Sequence, residues 1–106
     1  MTTIAVRPAA QGELADIVAW YENQEPESSA PFIMEYEIGL KQIEAYPLLR
    51  PKVEGEIRHI SLSAYPYQIW YFADEPNDHV EVLSITHQRR DRAAVLKTIT
   101  QRSTSK

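Results

Sequence analysis

Residues 57–92 read IRHISLSAYPYQIWYFADEPNDHVEVLSITHQRRDR, and this stretch decides the fold. Ile57 to Leu62, Tyr67 to Ala73 and His79 to Thr86 are rich in β-branched and aromatic residues, and the polar links Ser63 to Pro66 and Asp74 to Asp78 separate them. Such residues fit a pleated, half-buried surface, so the pattern predicts three consecutive strands. Links this short favour an antiparallel meander.

Working outward, the preceding segment changes period. Leu14, Ile17, Val18 and Tyr21 recur at i, i+3, i+4 and i+7, which places them on one stripe of a helix that starts near Pro8. Gln24 to Ser29 is polar, contains Pro26 and breaks the helix. Ser28 or Ser29 is the expected N-cap of a second helix, with Pro31 tolerated in its first turn. Ile33, Tyr36, Leu40 and Ile43 form its stripe, Gly39 costs it up to about 1 kcal/mol relative to alanine, and Pro47 ends it. Leu48 to Gly55 reads as a loop.

At the ends, Thr3 to Arg7 reads as a short strand, and Ala94, Val95, Leu96 and Ile99 can line a short tail helix before a fraying Ser103 to Lys106. The expected architecture is α+β: an N-terminal strand, an antiparallel helical hairpin packed on a mostly antiparallel β-sheet, and a short C-terminal helix. A chain of 106 residues with 43% hydrophobic residues forms one domain, 1–106.

Composition narrows the function classes. Cysteine is absent, which removes disulfides, thiolate nucleophiles and cysteine zinc sites. His79 has no metal-ligand neighbours at suitable spacing, so neither a metal nor any other cofactor is expected. Nothing resembles a signal peptide or a membrane span, which suits the cytoplasm. Charge is lopsided: residues 1–54 carry −5, while residues 87–106 carry +5 through Arg89, Arg90, Arg92, Lys97, Arg102 and Lys106 against Asp91. A basic tail on an acidic body can meet phosphate or an acidic partner, or be solvated helix surface.

Four stretches, in order, resemble the RelE/ParE superfamily of type II toxin-antitoxin toxins, which includes ParE-like plasmid stabilisation proteins. They are Ala15-Asp16-Ile17 with Trp20-Tyr21-Glu22 and Tyr46-Pro47; Ile57-Arg58-His59-Ile60; Tyr65 to Tyr71; and Val80 to Ile85 leading into His87-Gln88-Arg89-Arg90-Asp91. The resemblance covers about residues 4–92. It implies a toxin neutralised by a cognate antitoxin and acting in bacterial stress. RelE-like members cut messenger RNA on the ribosome, whereas ParE-like members poison DNA gyrase without catalysis.

Metal-free RNA cleavage needs a base, cations for the phosphorus-centred charge and an acid for the leaving oxygen. Arg58 and Arg89 or Arg90 supply cations, and the candidate set for a nuclease is Arg58, His87 and Arg90. Lys52 is the nearby lysine, however, and the tail position where the nucleases place a tyrosine or histidine falls near Leu96. The net charge of −4 also departs from the basic character of ribosome-bound nucleases. These departures favour a non-catalytic gyrase inhibitor, with a ribosome-dependent nuclease and a non-toxic assembly partner as the alternatives.

Candidate contacts for antitoxin or target are Trp20, Arg58, Arg89, Arg90 and Arg92. Each has a bland counterpart. Arg58 can anchor the sheet, and Tyr67, Trp70, Tyr71 and Phe72 can all be packing. His59 reads as a surface residue, and the acidic pairs Glu25/Glu27 and Glu35/Glu37 as solvated faces.

Overall fold

A computed structural model of the chain describes residues 2–104. The order is β1 (Thr3–Val6), α1 (Pro8–Gln24), α2 (Ser29–Ala45), β2 (Lys52–Glu54), β3 (Ile57–Ser61), β4 (Tyr67–Asp74), a 3-10 turn (Glu75–Asn77), β5 (His79–His87) and α3 (Arg92–Thr104). The sheet runs β1-β5-β4-β3-β2, antiparallel throughout except for the parallel β1–β5 pair. The α+β expectation therefore matches, including the helical hairpin and the tail helix. Ser103 and Thr104, expected to fray, are helical, and Ser105 and Lys106 lie outside the described residues.

The short strand β2 falls where the sequence predicts a loop. Its three residues carry a single apolar side chain, Val53, too short a run to read as alternation, and it exists because β3 offers partners: Lys52 faces Arg58 and Glu54 faces Ile57. Gly55 makes the turn between them with φ +54, a left-handed conformation that costs glycine little.

Period-2 alternation divides the sheet between two cores. Ile60, Ile69, Tyr71, Val80, Val82 and Ile85 pack with Phe32, Tyr36 and Ile43 of α2 and Ala10 of α1. On the other face Trp70 and Leu83 pack against Val95, Leu96 and Ile99 of α3. Full burial of each such side chain contributes roughly 1.5–3 kcal/mol. Ladder pairing passes from Trp70–Ser84 to Tyr71–Val82, so Leu83 is the extra residue of a bulge in β5. The Glu13 carboxylate of α1 accepts hydrogen bonds there, from Ser84 Oγ at 2.8 Å and the Ile85 N–H at 3.2 Å.

The stripe on α2 is rotated from the expected one. Phe32, Tyr36, Gly39 and Ile43 are buried, while Ile33 is exposed. Gly39 decides the rotation, because a Cβ there would lie 3.0 Å from Ile69 Cδ1 and 3.4 Å from Leu62 Cδ2. The helix approaches the sheet along its glycine. The N-terminus of α2 is also capped differently: neither Ser28 nor Ser29 caps it with its side chain, since the Ser28 hydroxyl donates to Tyr21 O and the Ser29 hydroxyl to Glu22, and the Glu22 carboxylate of α1 instead accepts from the Glu27 and Ser29 N–H groups. Glu35 is likewise a tether, accepting the Ala64 N–H at 3.1 Å.

Candidate partner-binding site

A line of aromatic rings crosses one end of the molecule. Trp20 lies edge-on to Tyr21 at 5.1 Å between centroids, Tyr21 meets Phe32 at 5.4 Å, Phe32 meets Tyr67 at 5.6 Å, and Tyr67 meets His87 at 5.4 Å. Aromatic pairs favour such edge-to-face and offset contacts. Burial and the neighbouring Tyr67 and Tyr65 hydroxyls push the Tyr21 phenol up from its ordinary value. Trp20 ends the line at 55% exposure because it lies off the stripe that α1 buries. Its indole is presented on a rigid base.

The other end of the line is the basic turn. The Gln88 N–H donates to Pro66 O at 2.8 Å and the Arg90 N–H to His87 O at 3.0 Å. His87 Nδ1 accepts the Arg89 N–H at 3.1 Å, which places the ring proton of a neutral His87 on Nε2. Asp91 starts α3, its carboxylate accepting the Ala94 N–H at 3.1 Å and its carbonyl the Val95 N–H at 3.0 Å. The side chains of Arg89, Arg90 and Arg92 are exposed.

Arg58 is elsewhere. It sits opposite Tyr71 in the β3–β4 ladder, whereas His87 sits opposite Tyr67, four positions along β4. At strand rise that separation is about 13 Å. Arg58 is 5% exposed, and its Nε–H donates to Arg50 O at 2.8 Å, holding the loop that precedes β2. The structure thus brings His87, Arg89 and Arg90 into one turn with Trp20 on the connected ring line, and leaves Arg58 apart. Leu96 is buried in the second core.

Two features lie beyond what the sequence pattern reveals. His59 is a half-buried ring packed on Trp70 at 4.8 Å rather than a solvated one, and burial, followed by the Arg92 charge, pulls its pKa below the ordinary histidine value. Beside Arg58, the buried Nη1 of its guanidinium and the buried Tyr71 hydroxyl have no hydrogen-bond partner among the described residues. An unsatisfied buried donor costs about 1–3 kcal/mol. The signal for this pair is their cross-strand register, which strand assignment without registration does not supply.

Among the described residues no group of three histidine or acidic side chains could hold a metal ion, and no helix is long and apolar enough to cross a membrane.

Residues 4–92 match the family model described as ParE toxin of type II toxin-antitoxin system, parDE. A solved chain of the chromosomal ParDE toxin-antitoxin system from P. aeruginosa superposes with a TM-score of 0.64 at 16% identity, covering 82% of this chain and 96% of that one. The isolated E. coli RelE toxin superposes with a TM-score of 0.64 at 15% identity, covering 97% of this chain and 99% of that one. At such identities the structural likeness establishes the fold. No curated protein sequence matches the chain significantly.

Proposed function

The chain belongs to the ParE toxin family of type II toxin-antitoxin systems, and from that premise we propose that it inhibits DNA gyrase by binding, without catalysis, in the bacterial cytoplasm. A cognate antitoxin holds it inactive. The observation that carries the non-catalytic reading is the dispersal of the candidate nuclease set: Arg58 is buried on Arg50 O, while His87 and Arg90 share a turn about 13 Å along the sheet. General acid–base work requires groups within hydrogen-bond reach of one substrate. Leu96, at the tail position of interest, is packed into the core and offers no proton.

The same geometry supports a binding surface. Trp20 and the turn Arg89–Arg90 occupy the two ends of one ring line, combining an exposed indole with cationic side chains. Tryptophan and arginine are the residue types that most often dominate interface energetics. Arg92 extends the basic surface onto α3.

The deciding experiment is a gyrase supercoiling assay with the purified chain, run beside a translating extract in which messenger cleavage is scored. Inhibited supercoiling with intact messenger is the expected result. Cleaved messenger with unaffected gyrase would replace this reading with the ribonuclease one. Failure to arrest growth when expressed without antitoxin would favour a non-toxic assembly partner.

A further inference from the structure

Where the end of α2, the loop at residues 46–51 and strands β3 and β4 meet, a pocket of about 240 Å³ opens, lined by Ile43, Tyr46, Leu49, Arg50, Ile60 and Tyr71. None of its lining side chains is acidic. Tyr71 is fully buried there and its hydroxyl has no partner among the described residues. Its cross-strand neighbour Arg58 uses Nε on Arg50 O and leaves Nη1 buried and unmatched. Burial pushes the Tyr71 phenol up, and the Arg58 and Arg50 charges act on it in the opposite sense.

Two buried donors without acceptors, one on Arg58 and one on Tyr71, with the Arg50 guanidinium on the pocket wall, describe a site short of an anion. The C-terminal end of α2 contributes only a partial negative charge, of order half a unit. One of its terminal carbonyls, Gln42 O, is occupied by the Tyr46 N–H at 3.0 Å. The rim is apolar as well: Tyr46 and Leu49 are each 66% exposed. A free inorganic anion has no use for such a rim, whereas a polypeptide offers a carboxylate and apolar neighbours together.

We propose that this pocket is a carboxylate subsite for an acidic side chain of a polypeptide partner. The Tyr71 hydroxyl donates to the carboxylate from the pocket wall, its cross-strand neighbour Arg58 adds positive charge, Arg50 stands at the mouth, and Tyr46 and Leu49 seat an adjoining apolar residue. Arginine suits the role because its planar fork matches carboxylate geometry. The choice of a protein partner rests on the toxin reading, but the donor arrangement does not.

The test is an NMR titration of the full chain with a capped six-residue peptide carrying one glutamate between leucines, its glutamine counterpart, and inorganic phosphate. The glutamate peptide is expected to shift the amides of Tyr46, Leu49 and Arg50, with the glutamine peptide at least tenfold weaker. Tyr71→Phe should weaken the glutamate peptide about tenfold without lowering Tm, since it removes a hydroxyl that bonds nothing inside the fold; Arg50→Gln should weaken it severalfold. Equal binding of the two peptides, no binding of either, shifts elsewhere, or a Tm drop in Tyr71→Phe would each overturn the proposal. Tighter binding of phosphate at these residues would overturn the polypeptide assignment. Peptide binding without growth arrest would refute the toxin reading and leave the subsite standing, and arrest without pocket binding would do the reverse.

Discussion

The Glu22 carboxylate, near the end of α1, accepts the Ser29 N–H at 3.0 Å and the Ser29 hydroxyl, so the first helix caps the second. These bonds, with that from the Glu27 N–H, hold the Glu22 carboxyl below the ordinary glutamate value. Helix N-termini leave backbone donors that an anion satisfies well. The stability this contributes is present above the ordinary glutamate value of about 4.3 and is lost as pH falls through the lower folded one. Glu22→Gln should therefore lower the denaturation midpoint at neutral pH and flatten its decline in acid. A variant whose acid profile overlays the parent would disprove the cap.

Within the sheet, the Trp70 indole N–H donates to Thr86 Oγ1 at 2.9 Å, with both residues buried. Thr86→Val keeps the shape and strands the indole donor. The expected loss is about 1–3 kcal/mol in urea unfolding. An unchanged midpoint would mean that the indole finds another acceptor.

The glycines Gly12 and Gly39 should respond with opposite signs. Gly12 lies in α1, where an added Cβ would meet nothing within 4 Å, so Gly12→Ala should stabilise by about 0.5–1 kcal/mol. At Gly39 the same helix-propensity gain meets the 3.0 Å contact with the buried Ile69 methyl, and overpacking of about 1–3 kcal/mol outweighs it. Thermal melts of the two alanine variants check the contrast directly.

Acid should also loosen α3 through His59. Burial and the Arg92 charge depress its pKa, so the folded state favours neutral imidazole. Stability from this source is complete above the unfolded histidine value of about 6.5 and declines as pH drops through it towards the lower folded value. Trp70 fluorescence, reporting on the ring packed against His59, should change over that range in the parent and stay flat in His59→Gln.

For the proposed gyrase and antitoxin contacts, Trp20→Ala should weaken binding at least tenfold, about 1.4 kcal/mol, while leaving Tm nearly unchanged because the indole is mostly exposed. Charge reversal at Arg89 and Arg90 should weaken binding more at low salt than at high salt. Surface plasmon resonance at two ionic strengths separates these effects; salt-independent losses would point to folding damage instead.

Much of this is legible in the sequence where a pattern is local. Leu14, Ile17, Val18 and Tyr21 all pack against the main core, as their spacing predicts. The α2 stripe is harder, since Phe32 and Ile33 are adjacent apolar residues and only the close approach of Gly39 to Ile69 selects Phe32. Strand β2 is invisible because pairing with β3, not side-chain alternation, creates it. At the site, the exposure of Trp20 follows from its helical position, whereas the pairing of Arg58 with Tyr71 depends on ladder register. Long-range relationships of that kind are written in no single segment.

Strand β5 lies between β1 and β4, so the first strand is docked by the last of the described ones. Segments so far apart pair only after a long chain loop closes, which makes such sheets slow to form. During synthesis the sheet stays divided until residues 79–87 have emerged, and the basic turn, which begins at His87, forms only after them. A polypeptide interrupted before that point lacks the strand that joins its two halves and presents no finished surface to any target. The surface that carries the basic turn is thereby tied to the arrival of a strand far from the first one in sequence.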